Sequence, residues 1–160
     1  MTPRQVEVRQ ARASDLDAIV ALERETEFAP HWPPPAYAAI LDSTAARRCL
    51  IVAEIDARVA GFAVGLMHPA LQDSPERLAE LESVVVAATA RRGGVGRALC
   101  IAVIEWCKGR GATGMVLEVR ATGAGAIVLY SALGFTQTGQ RPRYYRDPVD
   151  DALLMRLELA

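Results

Sequence analysis

The residues best suited to chemistry form a glycine- and arginine-rich segment in the second half of the chain. The segment consists of Arg91, Arg92, Gly93, Gly94, Val95, Gly96 and Arg97. Its glycines remove side chains where a ligand could approach the backbone. The free N–H groups of a helix's first turn, together with the helix dipole, attract an anion. Because the segment follows Val84, Val85 and Val86 and precedes an apolar-periodic stretch, it predicts a pyrophosphate-binding turn between a strand and a helix.

Two common phosphate-binding motifs do not fit this segment. The P-loop places Lys-Ser or Lys-Thr after its second glycine, but the only lysine of the chain is Lys108. The dinucleotide fingerprint Gly-x-Gly-x-x-Gly fails at Leu99, where its third glycine would stand. The pattern that remains, Arg91-x-x-Gly94-x-Gly96, either binds a phosphate-bearing ligand or forms a plain glycine-rich turn before a helix.

The composition narrows the classes of function. A chain of 160 residues is expected to fold as one domain over residues 1–160, and 51% hydrophobic residues suffice for a core. The net charge of −1 argues against a general nucleic-acid-binding surface. No segment reaches the length of a membrane span, and the first residues lack the apolar core of a signal peptide. We therefore expect a cytoplasmic protein that binds neither nucleic acid nor membranes.

The cysteines do not indicate a metal site. Cys49, Cys100 and Cys107 are odd in number and lack the spacing of metal-binding motifs. We expect reduced, mostly buried thiols. None of them stands in a recognisable nucleophile setting, so the chemistry is expected to need neither a metal nor a cysteine nucleophile.

The hydrophobic pattern predicts an α/β fold with one mixed sheet and helices on both faces. Apolar runs of strand length lie at 6–9, 49–55, 59–64, 78–86, 115–120 and 152–157. Helical spacing follows Ser14, whose Ser-x-x-Asp pattern with Asp17 predicts a capping box. Further helices are predicted at 35–41, after Gly94 and at 126–133. The helix after Gly94 joins two strands, and a crossover of this length requires a parallel pair.

Two aromatic segments are candidates for binding a second substrate. Trp32 lies in the segment 28–35, whose four prolines exclude it from a helix interior. Tyr144 lies in the tail that follows the last helix. Trp32 either forms a wall of an acceptor site or fills the core. Glu80 and Glu82 share one face of a predicted strand, where they are either solvated or attract a cationic amine.

Four motifs give the chain a family resemblance. They are Arg92-x-Gly94-x-Gly96-Arg97-Ala98-Leu99, Leu117-Glu118-Val119-Arg120-Ala121, Ala126-Ile127-x-Leu129-Tyr130-x-x-Leu133-Gly134-Phe135 and Arg141-x-x-Tyr144-Tyr145. In these motifs the chain resembles the RimI-type ribosomal-protein alanine N-acetyltransferases, within the GCN5-related N-acetyltransferase (GNAT) superfamily. A weaker similarity covers residues 28–37, where the family has a Phe-Pro-Trp loop. The resemblance implies the GNAT fold, with a mixed sheet of about seven strands.

The resemblance also implies substrates and roles. Acetyl-CoA is expected as the donor, bound by the glycine-rich segment, and a protein N-terminal amine as the acceptor. Glu118 matches the family's general base and Tyr130 its general acid, although Tyr130 could instead be an ordinary core tyrosine. Independently of the family, Glu118 interrupts an apolar strand, where a carboxylate is costly unless it faces a polar cleft. The N–H groups of residues 84–86 are expected to polarise the thioester carbonyl and hold the pantetheine arm.

One departure from the family leaves the acceptor open. The family has Ser-Asn after Arg-Ala, and its asparagine contacts the cofactor, whereas Gly123 cannot supply this side-chain contact. Three hypotheses therefore stand: an N-terminal alanine acetyltransferase for a ribosomal protein, an acetyltransferase for a small amine, amino acid or antibiotic, and a non-catalytic acyl-CoA-binding module. Glu118 and Tyr130 together disfavour the third. Trp32 and Tyr144 are predicted to line an open groove for a protein N-terminus.

Overall fold

Seven strands and four helices form the part of the chain that the structure, a computed structural model, describes: residues 5–42 and 47–159. The strands are β1 (Glu7–Gln10), β2 (Arg48–Ile55), β3 (Arg58–Met67), β4 (Leu78–Val86), β5 (Gly114–Arg120), β6 (Thr136–Tyr145) and β7 (Asp150–Glu158). The helices are α1 (Leu16–Glu25), α2 (Pro34–Asp42), α3 (Val95–Gly109) and α4 (Ala124–Ala132). The two ends of the predicted domain, residues 1–4 and 160, lie outside the described residues.

One mixed sheet contains these strands, as predicted, in the order β1-β2-β3-β4-β5-β7-β6. Neighbouring strands are antiparallel except β4 and β5, which are parallel because α3 carries the chain between them. The parallel ladder is short, running from Leu78 paired with Gly114 to Glu80 paired with Val116. Beyond these pairs the two strands separate, which leaves a split in the middle of the sheet.

Helices cover both faces of the sheet, which confirms the prediction. On one side, α1 and α2 pack against the sheet through Ile19, Leu22 and Tyr37; we call this the α1–α2 face. On the other side, α3 buries Leu99 and Val103 in the larger part of the core, and α4 packs against the same cluster; we call this the α3–α4 face. These faces are the two sides from which a ligand can approach the split.

A β-bulge in β4 changes which side chains point to each face. The register between β3 and β4 shifts between Leu81 and Ser83, so Glu82 is an extra residue in β4. An extra residue reverses the alternation of a strand beyond it. Leu81 accordingly lies in the core of the α3–α4 face, whereas Val85 lies in the core of the α1–α2 face.

The predicted start of the first helix is wrong. Ser14 lies in a 3₁₀ turn, and α1 begins after it at Leu16, so Ser14 and Asp17 form no capping box. The N–H of Arg12 donates to Oδ2 of Asp15 at 2.7 Å, and another element also holds this turn. Arg9 of β1 donates to both carboxylate oxygens of Asp15, at 2.7 and 2.9 Å, a contact that no local pattern in the sequence reveals.

The sequence pattern does not predict β6. Its ten residues are mostly exposed and polar, so no alternation of apolar residues marks them as a strand. β6 forms an edge of the sheet because it pairs with β7. This pairing places Tyr144, near the end of β6, on the side of the sheet where β5 borders the split.

Candidate active site

A cavity of about 660 Å³ occupies the split between β4 and β5. Its walls come from the α1–α2 loop, the second half of β4, the end of β5, α4 and the end of β6. It brings together seven of the residues predicted from the sequence: Trp32, Val84, Val85, Arg91, Glu118, Tyr130 and Tyr144. The other seven are not among its lining residues: Val86, Arg92, Gly93, Gly94, Val95, Gly96 and Arg97.

The glycine-rich segment forms the turn from β4 into α3, as predicted. Gly94 is the N-cap of α3 with φ of +83°, a left-handed conformation that glycine adopts readily. A Cβ built on Gly94 would meet no atom within 4 Å. The backbone at Gly94 is therefore open on the side where a side chain would otherwise project.

Gly96 and Val95 serve the packing of α3 as well as the turn. The Val95 side chain is buried in the core, so only its backbone can face a ligand. A Cβ on Gly96 would lie 3.3 Å from Cδ2 of Leu129 and 3.7 Å from Cγ2 of Val86. Glycine at position 96 thus lets α3 approach α4 and β4 closely.

The start of α3 offers free donors beside positive charge. The first backbone bond of the helix runs from the N–H of Ala98 to the C=O of Gly94 at 3.0 Å, so the three preceding N–H groups have no acceptor in the helix. The three arginines of the segment are exposed, and none forms an ion pair within residues 5–42 and 47–159. This combination suits an anion such as a pyrophosphate.

Part of the β4 backbone also faces the split. The N–H of Ala87 donates to the C=O of Ala60 at 2.8 Å, and in an antiparallel ladder alternate residues bond to the same neighbour. Val85 therefore bonds to β3, whereas the N–H groups of Val84 and Val86 point to the side that β5 has left. Of the three predicted valines, Val84 and Val86 have donors directed at the split.

Glu118 faces the cavity from the opposite wall. It lies two residues beyond Val116, the last residue of β5 that pairs with β4. Its side chain is 31% exposed, and its Oε1 lies 3.4 Å from Nη1 of Arg141. Glu118 also raises the pKa of the Tyr144 hydroxyl, chiefly by accepting a hydrogen bond from it. A carboxylate in this position is accessible to a proton from a ligand in the cavity.

Tyr130 contributes a largely buried phenol to the same cavity. Its ring packs edge-on against Phe135, with 5.9 Å between the ring centroids. Burial raises the pKa of Tyr130 well above its ordinary value, so the phenol stays protonated at neutral pH. A protonated phenol can donate a hydrogen bond to a leaving thiolate.

Trp32 belongs to both the core and the cavity, so the two alternatives drawn from the sequence are not exclusive. Its half-buried ring lies 5.6 Å from that of Tyr37, between centroids. Trp32 also lines the cavity in the split and a neighbouring cavity of about 710 Å³. Tyr144 lines the cavity in the split and is 47% exposed.

Arg120, which the sequence analysis did not single out as a site residue, joins the two aromatic segments. Its guanidinium carbon lies 4.7 Å from the ring centroid of Phe28 and 4.4 Å from that of Tyr145, within the range of cation–π attraction. It also donates to the C=O of Pro148 at 3.2 Å. Arg120 therefore ties the α1–α2 loop to the β6–β7 turn beside the cavity. Three segments far apart in the sequence meet here, so no local motif could reveal the contact.

Glu80 and Glu82 line the cavity and are already paired. Oε1 of Glu80 lies 3.1 Å from Nε2 of the half-buried His68. Both carboxylate oxygens of Glu82 accept bonds from Arg48, at 2.8 and 3.0 Å. The charge of Glu82 is thus partly balanced by the Arg48 guanidinium before any amine enters.

Residues 16–135 match the model of the acetyltransferase (GNAT) family. The chain belongs to the GNAT family of acetyltransferases. This confirms the resemblance found in the sequence. Proteins of this family take the acetyl group from acetyl-CoA. Acetyl-CoA is therefore the donor that the split and the turn before α3 would have to accommodate.

Two relatives and one solved structure are similar to this chain. The [ribosomal protein bS18]-alanine N-acetyltransferase of Escherichia coli (strain K12) is 39% identical over 84 residues, 51% of this chain and 57% of that enzyme. Aminoglycoside N(6')-acetyltransferase type 1 of Klebsiella aerogenes is 34% identical over 101 residues, 62% of this chain and 66% of that enzyme. The crystal structure of the ribosomal-protein-S18-alanine N-acetyltransferase from Escherichia coli has a TM-score of 0.79 at 28% identity, covering 98% of this chain and 95% of that chain. The sequence match thus spans little more than half the length of the bS18 relative, whereas the fold agrees along nearly the whole chain.

The GNAT chain accommodates its departure from the family at Gly123. A Cβ there would lie 3.1 Å from the carbonyl oxygen of Arg120, so an asparagine would require this turn to shift.

Burial raises the pKa of the free thiol of Cys49 to about 11 and those of Cys100 and Cys107 to about 12. These thiols are therefore inert at neutral pH. Among the described residues, no group of three or more His, Cys, Asp or Glu side chains could hold a metal ion, and no helix is long and apolar enough to cross a membrane.

Proposed function

We propose that this GNAT protein transfers an acetyl group from acetyl-CoA to a protein N-terminal α-amine, with the N-terminal alanine of a ribosomal protein as the favoured acceptor. The observation that carries the proposal is that Glu118 and Tyr130 line the same cavity. This cavity lies beside the N–H groups of β4 that have no partner on β5. The match to the bS18-alanine enzyme supports this choice of acceptor. A ribosomal acceptor implies a cytoplasmic enzyme, and we assign the activity to a single domain over residues 1–160.

The donor is expected to lie along the split with its phosphates at the start of α3. The open backbone at Gly94 and the free N–H groups of the next three residues would bind the pyrophosphate. Arg91, which lines the cavity, and the exposed Arg92 and Arg97 add positive charge. The N–H groups of Val84 and Val86 would bind the pantetheine arm and the thioester carbonyl.

The reaction then proceeds by direct attack. A neutral amine attacks the thioester carbonyl carbon, forming the C–N bond, and its proton passes to Glu118, directly or through a water. The C–S bond then breaks, and the thiolate leaves. An α-amine has a pKa near 8, so a modest carboxylate base suffices at neutral pH. Because burial raises its pKa, the Tyr130 phenol keeps its proton until the sulfur accepts a hydrogen bond or the proton itself.

A second candidate function is acetylation of a small amine, such as an aminoglycoside. The similarity to the aminoglycoside N(6')-acetyltransferase supports it, as does the contact of Arg120 with both Phe28 and Tyr145, which joins two walls of the cavity. An acetyl-transfer assay that compares an alanine-starting peptide with a panel of small amines decides between the two. Higher kcat/KM for the peptide supports the first, higher kcat/KM for a small amine supports the second, and no transfer to any amine supports a non-catalytic module.

Replacing Tyr144 with alanine is expected to raise the KM of a peptide acceptor about tenfold, because an exposed aromatic ring gives large contact area at low entropy cost. The Tm should change little, since Tyr144 is 47% exposed. Tyr144→Phe is the matched control: it keeps the ring and loses only the hydroxyl that bonds to Glu118. Steady-state kinetics on both variants test the groove. A peptide KM that stays at the wild-type value in Tyr144→Ala would show that Tyr144 does not line the groove.

Trp32→Ala should also raise the peptide KM, and it should lower stability because the ring packs on Tyr37. Since Trp32 is only half-buried, the loss in the free energy of unfolding should stay below the ~3–5 kcal/mol typical of a buried tryptophan. Thermal unfolding and peptide kinetics are measured on the same variant. A large loss of stability with an unchanged KM would identify Trp32 as a core residue only.

A further inference from the structure

The bulge in β4 directs two consecutive side chains to the α1–α2 face. Ser83 pairs with Val64, and residues that pair across strands share a face; Val64 lies in the core of the α1–α2 face. The preceding residue, Glu82, bonds to Arg48, which is on the same face because it pairs with Leu66, the partner of Glu80. In a regular strand Ser83 would point to the opposite face from Glu82. The bulge therefore brings the Ser83 hydroxyl to the α1–α2 face of the split.

The Ser83 hydroxyl is buried in the cavity wall without a partner. Ser83 is 7% exposed and lines the cavity together with Glu118. Three buried side-chain atoms lack a hydrogen-bond partner within the described residues: Oε2 of Glu23, the hydroxyl of Tyr37 and Oγ of Ser83. Of these three residues, only Ser83 lines the cavity. A buried hydroxyl without a partner is costly, and a ligand in the cavity would supply the missing bond.

We propose that Ser83 is a substrate-positioning residue whose Oγ accepts an N–H bond from the acceptor's primary amine. This inference rests on the proposed acetyl transfer and names a contact for it. Ser83 shares the α1–α2 face with Glu80 and Trp32, whereas the donor is expected along the N–H groups of Val84 and Val86. A primary amine carries two hydrogens once it is neutral. With one N–H held by Ser83, the lone pair of the amine has a fixed direction toward the thioester carbon.

Ser83→Ala is expected to lower kcat/KM for the amine acceptor about tenfold, the usual effect of one neutral hydrogen bond, while the Kd of acetyl-CoA stays unchanged. The Tm should not fall, because the variant removes a buried hydroxyl that has no partner in the protein. Ser83→Thr restores a hydroxyl at the same position and should recover most of the activity. A residue with only a structural role would show the opposite pattern, a lower Tm with unchanged kinetics.

Tyr37→Phe is the matched control. It also removes a buried, unpartnered hydroxyl on the α1–α2 side of the sheet, but one that is not part of the cavity wall, so its kcat/KM should equal the wild-type value. If Ser83→Ala still transfers acetyl groups with an acceptor kcat/KM within twofold of the wild-type value, the proposed role of Ser83 is overturned. The proposed function would stand. Wild-type protein that binds acetyl-CoA by calorimetry but acetylates no primary amine would instead overturn the proposed function.

Discussion

Replacing Glu118 with glutamine is expected to slow acetyl transfer by a factor of about 10²–10⁴ at neutral pH, the usual contribution of a general base. Glutamine keeps the shape of the side chain and removes the proton acceptor. Affinity for acetyl-CoA should change little, because the donor's phosphates are expected at the start of α3. The loss should shrink as the pH rises toward 8, near the pKa of an α-amine, because the amine then releases its proton without help.

The Glu118 variant needs a control for its ion pair. Glu118→Gln also removes the partner of Arg141, but both side chains are partly exposed, and an exposed pair adds little to stability. Arg141→Gln breaks the same pair and keeps the carboxylate, so its rate should stay within a few-fold of wild type. Rates measured across pH for both variants distinguish the role of Glu118 as a general base from its role in the ion pair with Arg141. A Glu118→Gln rate equal to wild type at neutral pH would remove Glu118 from the mechanism.

Replacing Gly94 with glutamate is expected to abolish measurable binding of acetyl-CoA. The substitution puts a negative charge and a long side chain into the open space beside the helix start, where the pyrophosphate is expected. The protein should still fold, since a Cβ at this position meets no atom within 4 Å. Strain from the φ of +83° is the remaining cost, because residues other than glycine rarely adopt this conformation.

Gly94→Asn serves as the control for this strain. Asparagine tolerates the left-handed conformation better than other side chains and carries no charge, so its acetyl-CoA affinity should fall much less than that of Gly94→Glu. Isothermal calorimetry gives the affinities, and thermal unfolding shows that both variants are folded. An unchanged affinity in folded Gly94→Glu would contradict the assignment of this turn to the pyrophosphate.

Local patterns in the sequence predicted the strands and helices whose apolar residues recur at a regular spacing. The strand at 78–86 and the helix after Gly94 follow from apolar periodicity, and both lie where they were expected. β6 was missed because its residues are polar and exposed, and only pairing with β7 makes it a strand. The bulge at Glu82 was missed for a similar reason, because it is a property of the register between β3 and β4.

The residues of the candidate site also divide into those that a local pattern reveals and those that depend on tertiary structure. Glu118 and Tyr130 stand out in the sequence because a carboxylate interrupts an apolar strand and a family motif surrounds the tyrosine, and the two line one cavity. Ser83 carries no such signal, since a serine at this position in an unbulged strand would point to the opposite face. Arg120 carries none either, because its contacts with Phe28 and Tyr145 depend on tertiary structure.

The short parallel ladder has a kinetic consequence. Three residue pairs join β4 to β5, so the sheet consists of two halves held at one end. A donor lying in the split would bond to the free edge of β4 and contact the β5 side, completing a ladder that the chain leaves interrupted. We expect the wall that receives the amine to become rigid only after the donor has bound. The enzyme is therefore expected to follow a compulsory order, with acetyl-CoA entering first and the acylated product leaving before coenzyme A.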